Sequence, residues 1–315
     1  RHDCRCPQLP WRLRDPFWRV LWQQTSLARL LHRLNVVGLL ALAYTAPLRC
    51  PVPYCLQVHD TIALDHPHFC RRRNRWHMRA LLPPSMRGAE TILASTQAVI
   101  SRVTAYVKKE KRPPLHTVAF GVDEIFLQDP PAAFGEVELP VDAEPYVLFV
   151  GRLERKKGLH SLLTAYASLR GQVNLVLAGQ AGWDCGSVLQ AIHDYDGPGR
   201  IIRLGYVPRS DLPRLYARAA VTVMPSLVEG FGLPVLESMA MNTPVVYSNC
   251  EALREVAGDY GFPYVAGEPG PLAECIEDAL DEGIAAGAQA YARSFTWPRW
   301  AEKVNERLDL FPDHG

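Results

Sequence analysis

Two glutamates, Glu229 and Glu237, bracket a run that reads Gly230-Phe231-Gly232-Leu233-Pro234. A carboxylate accepts hydrogen bonds from two hydroxyls at once, so two of them around one loop suit a polyhydroxylated ligand. Gly230 and Gly232 leave backbone N–H groups uncovered where a short apolar run, breaking at Ser226, restarts as a helix. The partial positive charge at such a helix start favours an anion. Pro234 fits the first turn of that helix, where its missing N–H costs nothing. Glu237 falls further along the same helix, so both acids can face one cleft from different heights. Two acids at this spacing also fit an ordinary strand-to-helix connection with solvated side chains; the glycine loop between them is what points to binding.

A second run, Gly151-Arg152-Leu153-Glu154-Arg155-Lys156-Lys157-Gly158, gathers cations after an apolar segment. Arg152 and Lys157 could neutralise a diphosphate, the arginine through a fork of donors and the lysine as a point charge. A charged surface loop is the plainer alternative for one such run. In the first half, His59 and Asp60 end an apolar run, and Arg71-Arg72-Arg73-Asn74-Arg75-Trp76 supplies a block of positive charge. That block reads equally as a solvated helix face or as contact with an anionic acceptor or lipid headgroups. His66, His68 and Cys70 alternate, but no second ligand cluster accompanies them, and no metal site is assigned.

Elements able to position these residues follow from the periodicity. Short apolar runs at 146–150, 174–178, 201–204, 221–224 and 244–247 are each followed by a helical segment. Such alternation implies parallel strands with crossover helices. The candidate residues follow the ends of these strands, where ligands bind in open α/β sheets. In the first half, 36–43, 54–59 and 91–95 read as strands, with Ser95-Thr96-Gln97 opening a helix through a capping hydroxyl. Residues 118–123 read as the last strand and turn of that half, and the Pro-, Ala- and acid-rich stretch 128–144 as a linker. Residues 16–35 read as an amphipathic helix carrying Phe17, Val20, Leu21, Leu27, Leu31 and Leu34, with Trp11, Trp18 and Trp22 interleaved among Arg12, Arg14 and Arg19. Packing within the domain is its expected use, an interfacial membrane helix the alternative.

Glu229 to Glu237, with the glycine loop between them, resembles the glutamate-x7-glutamate signature of the family 4 retaining glycosyltransferases, of the group 1 type. The resemblance extends to the run from His59 to Pro67, to the Arg152 and Lys157 loop, to the turn Gly205-Tyr206-Val207-Pro208, to Ser248-Asn249 on the cleft floor and to the closing segment around Phe295-Thr296-Trp297-Pro298-Arg299-Trp300. It implies an α/β chain of two Rossmann-like domains facing a cleft, the GT-B fold. The expected domains are 1–127 on the acceptor side, 145–294 on the nucleotide-sugar side, and 295–315 as a helix returning to the first. That family's first domain opens with a strand and a glycine-rich loop that are not found here, so the domain is expected to be incomplete at its start.

What the resemblance implies chemically is transfer of a sugar, GDP- or UDP-linked and with mannose among the candidates, to a glycan or lipid-linked acceptor with retention at the anomeric carbon. The setting implied is bacterial cell-surface polysaccharide synthesis. His59 and Glu229 take the catalytic roles. Arg152, Lys157, Gly230, Phe231, Gly232 and Leu233 hold the donor diphosphate, and Glu237, Gly205, Tyr206 and Val207 the nucleoside. Asp60, Arg71 and Arg75 face the acceptor. No metal or other cofactor is expected beyond the nucleotide sugar itself. Two rivals stand beside this reading: a nucleotide-sugar-binding protein that has lost catalysis, and a nucleotide-sugar epimerase on the same fold, which would convert donor without an acceptor.

The 315 residues suffice for two domains, and 48% hydrophobic content excludes a disordered chain. Residues 1–115 carry 19 Lys+Arg against 6 Asp+Glu, whereas 116–315 carry 15 against 27. The basic first half is therefore expected to meet something anionic, whether nucleic acid, a membrane surface or a phosphate-bearing acceptor, or else the acidic half across a cleft; with the resemblance, nucleic acid is not among the expected partners. The eight cysteines show no C-x-x-C pair, and no leader or spanning segment is read. A reducing cytoplasm is the expected compartment, with the inner face of a membrane open as a surface.

Overall fold

The computed structural model describes residues 16–135, 145–171 and 173–308. Ten strands are described: β1 Leu39–Ala41, β2 Tyr54–Val58, β3 Thr91–Ala94, β4 Leu115–Thr117, β5 Tyr146–Val150, β6 Asn174–Ala178, β7 Ile201–Gly205, β8 Val221–Met224, β9 Val245–Ser248 and β10 Phe262–Tyr264. They form two separate sheets, a four-stranded one in order β1-β2-β3-β4 and a six-stranded one in order β10-β9-β8-β5-β6-β7. Every strand pair is parallel. Parallel strands need crossovers, and α3 to α10 lie between strands of the described chain, while α1 and α2 precede the first strand and α11 to α13 follow the last; the helices are α1 Pro16–Trp22, α2 Ala28–Arg33, α3 Ile62–Asp65, α4 Arg72–Gly88, α5 Gln97–Thr104, α6 Leu159–Ala167, α7 Gly186–His193, α8 Leu212–Arg218, α9 Leu233–Ala240, α10 Glu251–Ala257, α11 Pro269–Glu282, α12 Ala288–Arg293 and α13 Trp297–Leu308.

The second sheet is covered on both faces, one by a core around Leu148, Tyr216, Val235 and Leu236, the other by a core around Phe149, Leu162, Leu177 and Ile276. This burial explains the uninterrupted apolar strands of the second half. The first sheet has its own core around Leu56, Leu82, Ile92 and Val103. A smaller cluster joins the chain's end to its beginning, because Val304 of α13 is buried with Cys55, Leu93 and Val118. Two Rossmann-like sheets with helices, facing one another, are the architecture expected from the motifs.

Several elements differ from the sequence expectation. Residues 118–123 are not a strand: the last ladder of the first sheet is Leu115–Thr117, and only the Val118 N–H still reaches the Ala94 carbonyl, at 2.8 Å. The apolar run that suggested a strand is buried for other reasons, Val118 against Val304 and Val122 in a bridge to Thr296. The helix expected over 16–35 ends at Arg33 and is broken by a π-helical turn at Gln23–Leu27. There Gln23 and Gln24 turn their amides to the Thr45 and Ala46 carbonyls at 2.6 and 3.1 Å. Of the residues on its expected apolar face whose burial is described, only Leu31 is buried, while Leu21 and Leu34 are exposed, as is the neighbouring Trp18. A sixth strand, β10, was not expected in the second sheet. Among the described residues no helix is long and apolar enough to cross a membrane. Cys4, Cys6, Trp11, Arg12, Arg14 and most of the expected linker lie outside the described residues.

Candidate active site

Each candidate loop leaves the C-terminal end of a strand, so the parallel sheets deliver them to one edge. After β5 the chain runs through a short 3-10 turn, Arg155–Lys157, into Gly158, which adopts φ +67° and begins α6. A side chain at this position would overlap the Pro225 carbonyl, so only glycine lets the basic loop lie against the loop after β8. The Leu227 N–H donates to the Lys156 carbonyl at 2.8 Å, pinning the two loops together. With this backbone register fixed, the Lys157 ammonium and the Glu229 carboxylate form an ion pair, with side chains only 16% and 12% exposed. Lys157 and Glu229 come from different strand ends, 72 residues apart in sequence.

The glycine loop continues from there. Gly232 takes φ +105° at the N-cap of α9, with Pro234 in the first turn, as the motif required. Gly230 is buried against the first domain: its carbonyl accepts from Ser95 Oγ at 3.1 Å and Thr96 Oγ1 at 2.9 Å, and its Cα faces the His59 carbonyl. Thr96 also caps α5 through the Val99 N–H. Around this contact, Arg102 Nη1 reaches the Glu229 carbonyl at 3.5 Å, and the Glu255 carboxylate accepts from the Gln97 and Ala98 N–H groups at 2.6 and 3.1 Å. The glycine loop is thus held by both domains.

His59 follows β2 and lies on the other side of Gly230. Its Nε2 bonds the Leu42 carbonyl at 2.7 Å, and a carbonyl accepts only, so Nε2 carries the proton. In the neutral ring Nδ1 is then an acceptor. The ring is packed by Tyr44 at 4.9 Å and by Phe120 at 5.5 Å, and Phe120 in turn meets Phe231 of the glycine loop at 5.2 Å. Asp60 faces inward: Oδ2 accepts from the Tyr44 hydroxyl at 2.5 Å and Oδ1 from the Ile62 N–H at 2.9 Å. Burial, reinforced by Asp60, pushes the Tyr44 phenol far up, so it stays a donor.

Glu237 sits one turn inside α9 and is 6% exposed. The fully buried Tyr216 donates its hydroxyl to Oε2 at 2.8 Å. Burial raises the Glu237 carboxyl above its ordinary range, opposed by the Tyr216 donor and by Arg209. Arg209 is itself paired with Asp123 at 2.8 Å. Gly205 ends β7 with φ +67°, and its carbonyl accepts from the Gly179 N–H at 2.7 Å. Tyr206 is 70% exposed, whereas Val207 belongs to the core. Ser248 and Asn249 are structural ties, Ser248 donating to the Ser226 carbonyl and Asn249 bridging to Tyr264 and Ala266.

The structure therefore gathers His59, Lys157, Glu229, Gly230 and Phe231 at one spot, with Glu237 beneath them in α9. Arg152 is exposed and lines a cavity with Arg71 and Lys156, while Arg75 is half-buried in α4. Among the described residues no group of three His, Cys, Asp or Glu is placed to hold a metal ion; the His68 ring lies tilted against Phe69 at 4.2 Å. Tyr44, Tyr216, Arg102 and Glu255 join the site with no sequence signal, since each is a lone residue outside any motif.

Comparison with known proteins gives the family and the fold. The family model described as glycosyl transferases group 1 matches residues 134–293. The O-antigen chain mannosyltransferase B of Escherichia coli is 38% identical over 161 residues, which are 48% of this chain and 42% of that protein. The serotype-specific mannosyltransferase WbdA of Escherichia coli is 25% identical over 272 residues, 81% of this chain and 33% of that one. The chain thus spans less than half the length of these curated relatives. Among solved structures, Anabaena Alr3699/HepE in complex with UDP-glucose superposes with a TM-score of 0.75 at 22% identity, covering 94% of this chain and 84% of that one. Sucrose-phosphate synthase from Thermosynechococcus elongatus gives 0.76 at 19% identity, covering 96% and 80%. By its family match, its two parallel sheets and this shared GT-B fold, the chain belongs to the group 1 glycosyltransferases.

Proposed function

We propose that the chain transfers a hexosyl group from a nucleoside diphosphate sugar to a glycan or lipid-linked acceptor with retention at the anomeric carbon. The donor is GDP- or UDP-linked, and mannose is the sugar that the named Escherichia coli relatives suggest. The observation that carries this reading is the Lys157–Glu229 pair at the head of α9, a cation and a carboxylate brought from two strand ends to one anion-favouring helix start.

In this reading Glu237 holds the ribose hydroxyls and Glu229 those of the transferred sugar. The turn Gly205-Tyr206-Val207 meets the base. Lys157, Arg152 and the N–H groups from Gly230 to Leu233 stabilise charge growing on the leaving diphosphate, which needs no metal. The bond from the anomeric carbon to the phosphate oxygen breaks while the acceptor oxygen attaches on the same face, and the acceptor hydroxyl proton passes to the departing phosphate. His59, with Nδ1 free to accept, orients a sugar hydroxyl beside the reacting carbon. The likeness to O-antigen mannosyltransferases favours cell-surface polysaccharide synthesis in a bacterial cytoplasm, with the basic first half turned to an anionic acceptor or to the inner face of the membrane.

The test is turnover of GDP-mannose and of UDP-glucose with oligosaccharide acceptors, followed by NMR of the new anomeric signal, with and without EDTA. An α-linked product from the α-linked donor, unchanged by EDTA, is expected. An inverted product, binding without turnover, or conversion of the donor in the absence of acceptor would overturn the reading.

A further inference from the structure

The hydrogen bond that holds the His59 ring, from Nε2 to the Leu42 carbonyl at 2.7 Å, fixes one atom and not a plane. Nε2 lies nearer than Nδ1 to the axis about which the imidazole turns on its Cβ, so this bond tolerates rotations that swing Nδ1 further than they move Nε2. That torsion is soft, its wells being broad. The direction of Nδ1 therefore falls to the rings packed on the imidazole, Tyr44 at 4.9 Å and 67°, and Phe120 at 5.5 Å and 37°. Tyr44 is tied within the first domain, its hydroxyl donating to Asp60 Oδ2 at 2.5 Å.

Phe120 is tied elsewhere. It follows β4, and its ring also meets Phe231 of the glycine loop edge-on, at 5.2 Å and 70°, and Trp297 at the start of α13 at 5.9 Å. Phe231 is itself only 6% exposed, so it has little room to move. The backbone beyond the Phe120 ring is locked as well. A Cβ on Gly121 would overlap the backbone nitrogen of Trp297, and the Val122 N–H donates to the Phe295 carbonyl at 2.8 Å. One side chain thus touches the histidine of the first domain, the glycine loop of the second and the helix that returns to the first. We propose that Phe120 is a positioning residue for transfer: it sets the plane of the His59 imidazole, and so aims Nδ1, according to how the glycine loop and α13 seat against the first domain. The proposal rests on the transferase reading, since it concerns how His59 serves the transferred sugar. A flat ring fixes the plane of another through the attraction of edge and face, where a flexible aliphatic chain of similar volume only fills the space.

Phe120→Met fills the space and removes the plane, Phe120→Tyr keeps the plane, and thermal unfolding checks that each variant is folded. Crystal structures are expected to show the His59 ring turned about its bond to Cβ in Phe120→Met, with Nε2 still on the Leu42 carbonyl, and unturned in Phe120→Tyr. Transfer from GDP-mannose or UDP-glucose should fall about tenfold or more in kcat for Phe120→Met, because a displacement approaching about 1 Å beside reacting groups costs on the order of a hundredfold. Phe120→Tyr should recover most of that rate. In a His59→Ala background the same Phe120→Met change should alter kcat by less than about twofold, since residues that act as a unit are not additive. An imidazole unmoved in Phe120→Met, methionine and tyrosine variants equal in rate, or a full further loss on top of His59→Ala would each overturn the proposal and leave the transferase reading standing. Failure of the parent chain to transfer, with the His59 ring turned as expected in Phe120→Met, would count against that reading and leave the positioning assigned.

Discussion

Gly230→Ala isolates the contact between the glycine loop and the histidine turn. An added Cβ would lie inside van der Waals distance of the His59 carbonyl oxygen and 3.0 Å from the Asp60 Cβ. Both neighbours are backbone or next to it, so neither can swing aside, and ordinary contact begins at 3.4 Å. The loop or the turn must therefore retreat by about 1 Å, and a displacement of that size near reacting groups costs on the order of a hundredfold in rate. The same retreat strains the bonds from Ser95 and Thr96 to the Gly230 carbonyl. Overpacking should cost about 1–3 kcal/mol of stability, which leaves the protein folded. Expected in steady-state assays is a kcat lowered about 100-fold, with affinity for GDP and UDP also reduced, because the Gly230 N–H belongs to the proposed diphosphate site. Gly186→Ala is the control, as nothing lies within 4 Å of the added methyl. A folded Gly230→Ala protein with kcat near that of the parent would refute the idea that this contact sets the geometry of His59 and Glu229.

Glu237→Gln should trade function for stability. The carboxyl is raised in the folded state, so the native protein binds more protons than the unfolded chain between the ordinary carboxylate pKa and the raised one. The native Glu237 form therefore loses stability as pH rises through that window, and the glutamine variant does not. Its Tm should exceed the parent's at pH 7, the gap closing toward pH 4, while affinity for GDP and UDP falls; a gap that widens in acid would contradict the linkage. Lys157→Ala and Glu229→Ala should each abolish most transfer and each cost about 1–3 kcal/mol, below the range for fully buried pairs because both side chains keep some exposure. The double variant should be more stable than the sum of the two predicts, yet equally inactive; additive losses in urea unfolding would show that the pair is not energetically coupled.

The second domain was legible in the sequence because its strands are buried on both faces, which writes them as unbroken apolar runs such as those at 146–150 and 174–178. β10 escaped the same reading since Phe262-Pro263-Tyr264 is three residues long with a proline at its centre, tolerated because it pairs with β9 alone at the sheet edge. The first domain was less legible. Its apolar residues answer to several partners at once: Val118 to α13, Val122 to the Thr296 bridge, and the glutamines at 23 and 24 to carbonyls beyond β1. Periodicity reports a single covering surface and fails where a segment has two.

Residue types and spacing alone determined which groups can do chemistry: the two glutamates around a glycine loop, the cations after an apolar run, the histidine at a strand end. Those features are local, set by what a helix start and a carboxylate can bind. Only the tertiary structure decided which groups meet. It joined Lys157 to Glu229, placed Gly230 on the His59 carbonyl, sank Glu237 beside Tyr216, turned Asp60 inward to Tyr44, and sent Arg152 into a cavity with Arg19 and Arg71. Each of these depends on the register of two sheets and the packing of one domain on the other, and such long-range geometry leaves no spacing in the chain to be read.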